Sequence, residues 1–342
     1  MVVALACALL ASHHVQASLL GWDAAWYRDI GTVGYAGLPV GAWRFFPGWP
    51  LLVDGISAVT PFSVGVSLVV LANVSAAIYV RLLHTLGRGL GMPPSAVSAA
   101  GYVAYFAPAA FVLVMGYAEA LFGVVSVSVL LASRRQAWWW CALAAAVAGF
   151  TRPTALLLCV PLAVEAVVST AARGTRRPAL GALVATLAPL LGAGAFLTYS
   201  ALSTGDALTP FRAQTATDLR GGVVVDPIRT LIQGFRGLLG GRPDANFLAH
   251  LVVIPVALGL VWYGRRRLPA SFTAYSLVVL ASACTAAHFG SFERYAASAV
   301  PLVLAAGLVL AERPRLRRVV VVLGPVVMAA LAWLSFADVY VP

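Results

Sequence analysis

The stretch PALGALVATLAPLLGAGAFLTYSALSTG, residues 178–205, contains no charged side chain. A helix needs about 20 mostly apolar residues to cross a hydrocarbon core of about 30 Å, so this stretch is long enough to span a membrane. Backbone groups in lipid must bond within the protein, which favours a helix here. Further uncharged runs of sufficient length cover residues 55–80, 89–118, 268–292 and 319–337. Their recurrence predicts a chain that crosses the bilayer many times.

The composition agrees with this prediction. The 342 residues are 61% hydrophobic and 10% charged, with a mean hydropathy of +0.91. A soluble domain carries about 25% charged residues, so the low charge excludes a soluble globular enzyme. The sequence lacks the strict period-two alternation of a membrane barrel. We therefore expect an all-α, polytopic transmembrane helical bundle.

The positive charge indicates how the chain is oriented. The net charge of +11 comes from 23 arginines with no lysine. Cytoplasmic loops of membrane proteins are enriched in basic residues, which explains this charge. The sequence shows no basic face with interleaved aromatic residues, so it does not indicate nucleic-acid binding. Fourteen of the arginines form clusters separated by pairs of apolar segments: Arg81/Arg88, Arg134/Arg135, Arg173/Arg176/Arg177, Arg265/Arg266/Arg267 and Arg313/Arg315/Arg317/Arg318.

Placing all five clusters in the cytoplasm predicts about eleven membrane helices in one domain, residues 1–342. The first covers residues 1–20, which we interpret as a retained helix because a basic n-region and an A-x-A-like cleavage site are absent. The first and fourth extracytoplasmic loops are long, at about residues 21–60 and 203–246, and the C-terminus lies outside. The other predicted helices are about 63–84, 96–115, 119–133, 137–151, 153–170, 179–202, 247–264, 270–289, 295–311 and 319–337.

Cysteine and histidine predict no metal site and no cofactor. The four cysteines lie singly in apolar segments without a CxxC pair, so neither a disulfide framework nor a zinc site is indicated. The five histidines show no HExxH spacing.

The first candidate site follows the first apolar run directly. Asp23 lies between aromatic residues at the expected membrane edge. Partial desolvation there would favour proton uptake by its carboxylate, which suits a general base. The alternative is an interfacial aromatic belt with an exposed carboxylate. The candidate residues of this segment are Trp22, Asp23, Trp26, Tyr27, Arg28 and Asp29.

Further charged residues lie at outer helix junctions. Glu119 follows a long uncharged run, and an ionisable residue at a membrane helix end is a functional candidate. Arg152 precedes Pro153, and arginine binds phosphate through its planar fork. The alternative is that the arginines pair structurally with Glu119 or Glu293. The late candidates are Glu293, Arg294 and Tyr295.

Together these positions predict one outward-facing site of carboxylates and arginines at the membrane boundary. Such a site fits a substrate with a lipid tail and a phosphate head. The tail would remain among the helices while the phosphate meets arginine.

At these residues the sequence resembles the PIG-V family, the GPI mannosyltransferase II-like members of the GT-C glycosyltransferases. The matching pieces follow the family's order over about 270 residues. They are WDAAWYRDIGTVGY (22–35), FFPGWP (45–50), FAPAAFVLVMGYAEALF (106–122), TRP (151–153) and ERY (293–295). The departures at Gly31-Thr32, Ala107 and Pro153 bear on substrate identity more than on reaction class.

The resemblance implies a GT-C-like enzyme that transfers a sugar from a polyprenyl-phosphate co-substrate on the non-cytoplasmic face. It implies Asp23 as the catalytic residue and Glu119 as the acidic position of the GYxE-like segment. A bacterial inner membrane is the expected location, with membrane lipids as neighbours. The acceptor, a glycan, lipid or protein, stays open, as does mannose against another polyprenyl-linked hexose or arabinose.

Two other functions remain possible from the sequence. A transporter or flippase of a lipid-linked sugar would use the same charges to bind a headgroup, but it needs a polar path to the cytoplasm. A non-catalytic membrane assembly subunit would have little use for the outer carboxylates.

Overall fold

The computed structural model describes residues 18–215, 225–241, 245–286, 289 and 291–337. These residues form helices, turns and short irregular segments, with no β-strand among them. The prediction of an all-α protein is therefore confirmed for this part of the chain. Most of the first predicted membrane helix lies outside the described residues, as does part of the loop at 203–246.

The described α-helices are numbered here in chain order. They are α1 (Asp23–Val33), α2 (Gly48–Val59), α3 (Val64–Gly89), α4 (Pro94–Phe106), α5 (Glu119–Arg134), α6 (Trp138–Thr151), α7 (Cys159–Ala172), α8 (Leu180–Thr204), α9 (Thr209–Gln214), α10 (Pro227–Leu239), α11 (Ala245–Gly264), α12 (Ala270–Cys284), α13 (Phe292–Ser298), α14 (Val300–Glu312) and α15 (Pro314–Phe336). Short 3₁₀ helices cover Val40–Arg44, Ala110–Leu113 and Pro153–Leu158.

Several of these helices can cross a membrane. Within the described residues, α3, α8, α15 and the continuous stretch Pro153–Ala172 are long and apolar enough to do so. A fifth span exists if α13 and α14, bent by 83°, act together. Shorter apolar helices include α2, α6 and α12. The chain is therefore a multi-pass membrane protein.

The outside of the bundle is apolar where a lipid-facing surface is expected. Along α8, Leu180, Leu187 and Leu191 are exposed. On α15, Val322 and Val326 are also exposed. Rows of exposed aliphatic side chains on long helices would be unfavourable in water, whereas lipid tails solvate them.

Small residues allow the closest helix packing. The backbone of α6 approaches that of α8 so closely that a Cβ on Gly149 would overlap the Pro189 carbonyl oxygen. A Cβ on Gly192 would overlap the carbonyl oxygen of Ala146. Close backbone approach through small residues is the usual basis of helix association in membranes. These glycines therefore fix the distance between α6 and α8.

The predicted helix at 96–115 ends earlier, at Phe106. Pro108 disfavours helical backbone at the residue before it, and Ala107 is accordingly extended, with φ −60° and ψ 153°. The segment that follows is irregular, but protein groups satisfy parts of its backbone. The Trp49 indole donates to the Gly116 carbonyl at 3.0 Å. Between Phe106 and Glu119 the only helical element in the structure is therefore the short 3₁₀ helix Ala110–Leu113.

The predicted helix at 295–311 is also interrupted. It consists of α13 and α14, which meet at Ala299 at an angle of 83°. Pro301 lies in the first turn of α14, where its missing N–H costs little. The preceding helix, α12, ends at Cys284 rather than near residue 289. The bend turns α13 toward the residues of the candidate site.

The predicted outer segment, residues 21–60, contains two α-helices, α1 and α2. Aromatic side chains hold the segment together between them. The Tyr35 hydroxyl donates to the Phe45 carbonyl at 2.6 Å. Trp43 stacks near Phe196 of α8, with ring centroids 6.0 Å apart. The segment is thus packed onto the bundle and presents α1 in a fixed position.

A second charged cluster lies at the other end of α5. Arg134 donates to both carboxylate oxygens of Glu165, each at 3.1 Å. The Ser271 hydroxyl donates to the same carboxylate at 2.5 Å. Glu165 is buried. These bonds connect α5, α7 and α12, which gives the Glu165 carboxylate a structural role.

Candidate active site

Charged side chains from five separate elements meet at one end of the bundle. Two of them are carboxylates and three are guanidinium groups. The residues are Asp23 at the start of α1, Arg44 at the end of a 3₁₀ helix, Glu119 at the start of α5, Arg152 after α6, and Arg294 in α13. We call this group the charge network.

Asp23 lies between two arginines. Arg294 Nη1 donates to Asp23 Oδ2 at 2.8 Å, and Arg44 Nη2 lies 4.0 Å from Asp23 Oδ1. The Asp23 side chain is 17% exposed and that of Arg294 only 3%. Asp23 is therefore held in place by ion pairs from two other elements.

Glu119 connects the other two arginines. Its Oε1 lies 2.5 Å from Arg152 Nη1 and 3.4 Å from Arg294 Nε. Glu119, Arg152 and Arg294 are all buried. Arg294 thus contacts both carboxylates and joins the two halves of the charge network.

Local backbone features position these groups. Arg152 is extended, with φ −153° and ψ 144°, as expected for the residue before Pro153. That conformation ends α6 and directs Arg152 away from the helix. Asp23 and Glu119 occupy the first turns of α1 and α5. The positive end of a helix dipole stabilises a carboxylate there.

The residue before Asp23 has an unusual backbone. Trp22 has a φ of 55°, in the left-handed region that large side chains rarely adopt. Its indole donates to the Ser335 carbonyl at the end of α15, at 3.1 Å. The bond fixes the start of α1 to the far end of the chain. Such local strain is typical of functional sites and persists only when the surroundings hold it.

Aromatic rings cover the arginines of the charge network. The Arg44 guanidinium lies 4.7 Å from the Phe45 ring centroid and 5.8 Å from that of Trp26. Arg294 lies 5.5 Å from the ring of Tyr117 and 5.6 Å from that of Tyr295. Cation–π contact stabilises a guanidinium that is removed from water.

Two buried tyrosines border the network. The Asp23 amide donates to the Tyr117 hydroxyl at 3.4 Å. Tyr27, one turn after Asp23, is also buried. Burial raises the pKa of Tyr27 above its ordinary value, and the charges of Arg152 and Glu119 act on it in opposite directions. Tyr27 is therefore a neutral phenol at physiological pH, able to donate a hydrogen bond.

A histidine lies next to the network. His250 Nε2 of α11 lies 3.3 Å from Glu293 Oε1, and both side chains are nearly buried. Glu293 directly precedes Arg294 on the short helix α13. The His250 ring also packs edge-on against Phe292, with centroids 6.2 Å apart. The contact links α11 to the helix that carries Arg294.

Most of the residues predicted from the sequence come together here. Asp23, Glu119, Arg152 and Arg294 form the network, while Trp22, Trp26, Tyr27, Glu293 and Tyr295 surround it. Arg28 and Asp29 do not join it. They pair with each other at 2.8 Å on the exposed side of α1. Asp23 and Tyr27 share one face of the helix, and the helical period places Arg28 and Asp29 on a different side.

Sequence reasoning missed three residues of this site. Arg44 was not among the predicted site residues, although its place between Trp43 and Phe45 in the outer segment was a usable signal. Tyr117 lies in the quoted MGYAE segment but carries no charge. No sequence signal pointed to His250, because only the fold brings α11 against α13.

The charge network brings three guanidinium groups and two carboxylates together in a poorly hydrated place. Arginine side chains bind anions such as phosphate through paired N–H donors. Within the described residues, no group of three or more His, Cys, Asp or Glu side chains is placed to hold a metal ion.

Comparison with known proteins adds no family. No protein-family model matches the chain, and no curated protein matches it. The likeness to the PIG-V family therefore depends on the sequence motifs alone.

Proposed function

We propose that the protein is a glycosyltransferase that moves mannose from a polyprenyl-phosphate donor to an acceptor hydroxyl, with inversion at the anomeric carbon. The observation that carries the proposal is the charge network, in which three arginines and two carboxylates from separate elements meet. Arginine forks bind phosphate with good geometry, so we assign the donor phosphate to these guanidinium groups. The motifs that resemble the PIG-V family contain four members of the network, Asp23, Glu119, Arg152 and Arg294, which also supports the assignment.

The reaction is a single displacement. The acceptor oxygen attacks the anomeric carbon while the bond from that carbon to the phosphate oxygen breaks. The electron pair stays on the departing polyprenyl phosphate, whose charge Arg294 and Arg152 stabilise. The acceptor proton passes to the Asp23 carboxylate. A β-linked donor therefore yields an α-linked product.

Asp23 must be both ionised and basic in this mechanism. At rest the Asp23 carboxylate is paired with Arg294. A bound donor phosphate competes for the same guanidinium. Binding of the donor thus weakens the contact between Arg294 and Asp23 and frees the carboxylate to accept the proton of the acceptor.

Other side chains position the substrates. Glu119 holds Arg152 and Arg294 in place and orients the acceptor. Trp22, Trp26 and Tyr27 flank the sugar, and Tyr27 is available as a neutral donor. The lipid tail of the donor lies among the apolar helices.

The proposed membrane arrangement follows the positive-inside rule. The five arginine clusters lie in the cytoplasm of a bacterium, and the chain crosses the cytoplasmic membrane about eleven times. Asp23 and the rest of the network then face outward, where a polyprenyl-linked sugar serves as donor. The short helices α5 and α6 count as spans in this arrangement.

Sugar transfer by the purified protein tests the proposal. Wild type in nanodiscs receives radiolabelled polyprenyl-phosphate mannose and membrane-extracted acceptors, alongside Asp23→Asn and the matched control Asp29→Asn. Both substitutions remove one carboxylate from α1, but Asp29 is exposed and outside the network. We expect transfer by wild type and Asp29→Asn only. Comparable transfer by Asp23→Asn would contradict the assignment.

A lipid-linked-sugar transporter is the competing function, and one observation disfavours it. Between Glu119 and Leu130, the buried residues of α5 are apolar or glycine apart from Ser126. This helix therefore offers no polar path from the network to the opposite end of the bundle. Movement of labelled donor across sealed vesicles, without transfer to any acceptor, would favour the transporter.

A further inference from the structure

The amphipathic helix α10 has one face docked on the protein. Thr230 is buried on this face, and Leu231 packs against the main hydrophobic core. Gly234 lies so close to the Phe247 ring of α11 that a Cβ there would overlap the ring. Asp226 caps the helix by accepting from the Ile228 amide at 2.9 Å. The helix is thus a seated part of the fold.

A second face of α10 is apolar and exposed. Ile228, Ile232, Phe235 and Leu239 have exposed fractions of 65%, 47%, 46% and 87%. Their spacing places them in one narrow stripe along the helix. A stripe of four large apolar side chains is unfavourable in water and suggests contact with an apolar medium.

The third face is polar and cationic. Arg229, Gln233 and Arg236 are exposed and lie between the docked face and the apolar stripe. Arginine on the polar side of a helix with large apolar residues on the other side is the pattern of a helix lying in a membrane interface. The guanidinium groups fit lipid phosphates by charge.

The apolar stripe continues onto the neighbouring helix. On α11, Leu248, Val252 and Val256 are exposed at intervals of one helical turn. The part of α11 from His250 onward is an apolar helix, so its exposed side faces lipid in a membrane protein. The two surfaces join where Phe235 meets Phe247, with ring centroids 5.3 Å apart.

We infer that α10 lies flat in the membrane interface, with its apolar stripe in contact with phospholipid acyl chains and its arginines among the headgroup phosphates. The lipid surface is thus the binding partner of this helix. Because α10 contacts Phe247, less than one turn before His250, a lipid-seated α10 also supports the end of α11 that meets Glu293.

Photocrosslinking tests this inference without any need for enzymatic activity. A benzophenone amino acid replaces Ile232 in one variant and Gln233 in another, in the full chain held in nanodiscs of radiolabelled phosphatidylethanolamine and phosphatidylglycerol. Neighbouring positions control for expression and for the local environment. After irradiation, lipid attached covalently to the protein is counted.

We expect several-fold more lipid adduct at position 232 than at 233. The same replacement at Phe235 and at Arg236 repeats the comparison. This second pair of variants decides the test if a variant of the first pair fails to fold. Equal labelling within both pairs, or crosslinks from the apolar positions to protein alone, would overturn the inference. If the labelling pattern is as expected but the protein transfers no sugar, the result contradicts the proposed function and supports the inference about α10.

Discussion

Two aspartate–arginine pairs in α1 and its surroundings differ in burial but not in distance. Asp23–Arg294 and Asp29–Arg28 are both separated by 2.8 Å. The Arg294 side chain is 3% exposed, whereas the side chains of Arg28 and Asp29 are 44% and 42% exposed. We therefore predict very different costs for Arg294→Met and Arg28→Met.

The magnitudes follow from the surroundings of each arginine. Removing one partner of a buried ion pair costs about 3–5 kcal/mol, since it leaves an uncompensated charge. Arg294 contacts both Asp23 and Glu119, so its removal falls in this range. An exposed pair contributes about 0–1 kcal/mol because water and salt screen it, so Arg28→Met should change the free energy of unfolding by less than about 1 kcal/mol.

Equilibrium unfolding in mixed micelles, followed by tryptophan fluorescence, measures both values. The double variant Asp23→Asn/Arg294→Met provides a further check. It removes both charges, so we expect it to recover part of the stability lost in Arg294→Met while remaining inactive. Equal losses for Arg294→Met and Arg28→Met, or no recovery in the double variant, would refute the role given to burial.

Two further predictions concern helix packing and the histidine beside the network. Gly192→Ala should destabilise the protein by about 1–3 kcal/mol, because its Cβ overlaps the carbonyl oxygen of Ala146. Gly194→Ala on the same helix meets open space and should be neutral or stabilising by up to about 1 kcal/mol, so equal unfolding curves would contradict the packing argument. His250→Phe should cost about 1–3 kcal/mol by leaving a buried carboxylate without its partner and should slow sugar transfer. His250→Gln, which retains a donor, should preserve more of both, and identical behaviour of the two variants would argue against the contact.

Hydrophobic run length was a good guide to the helices but not to their breaks. The uncharged run at residues 178–205 forms the single helix α8. It contains one proline, Pro189, and the helix continues past it. In the run at residues 89–118 the helix ends at Phe106, because Pro108 disfavours helical backbone at Ala107. Proline carries no charge, so the length of the uncharged run does not reveal this break. Apolar composition therefore locates a membrane segment without fixing its internal geometry.

The charged candidates were predictable singly, whereas their pairing was not. Asp23 and Arg294 are 271 residues apart in sequence, and no local pattern specifies such a contact. Arg28 and Asp29 were predicted to belong to the same site as Asp23, but the helical period of α1 places them on its exposed side. The contribution of His250 depends on the packing of α11 against α13, which exists only in the folded bundle.

The central claim is that Asp23 performs chemistry on a donor that the arginines bind. Donor binding and sugar transfer measured together on Asp23→Asn separate these two roles. We predict that the variant binds radiolabelled polyprenyl-phosphate mannose in nanodiscs at least as well as wild type, because Arg294 is released from its pair, yet transfers no sugar. Transfer at the wild-type rate by Asp23→Asn would contradict the account.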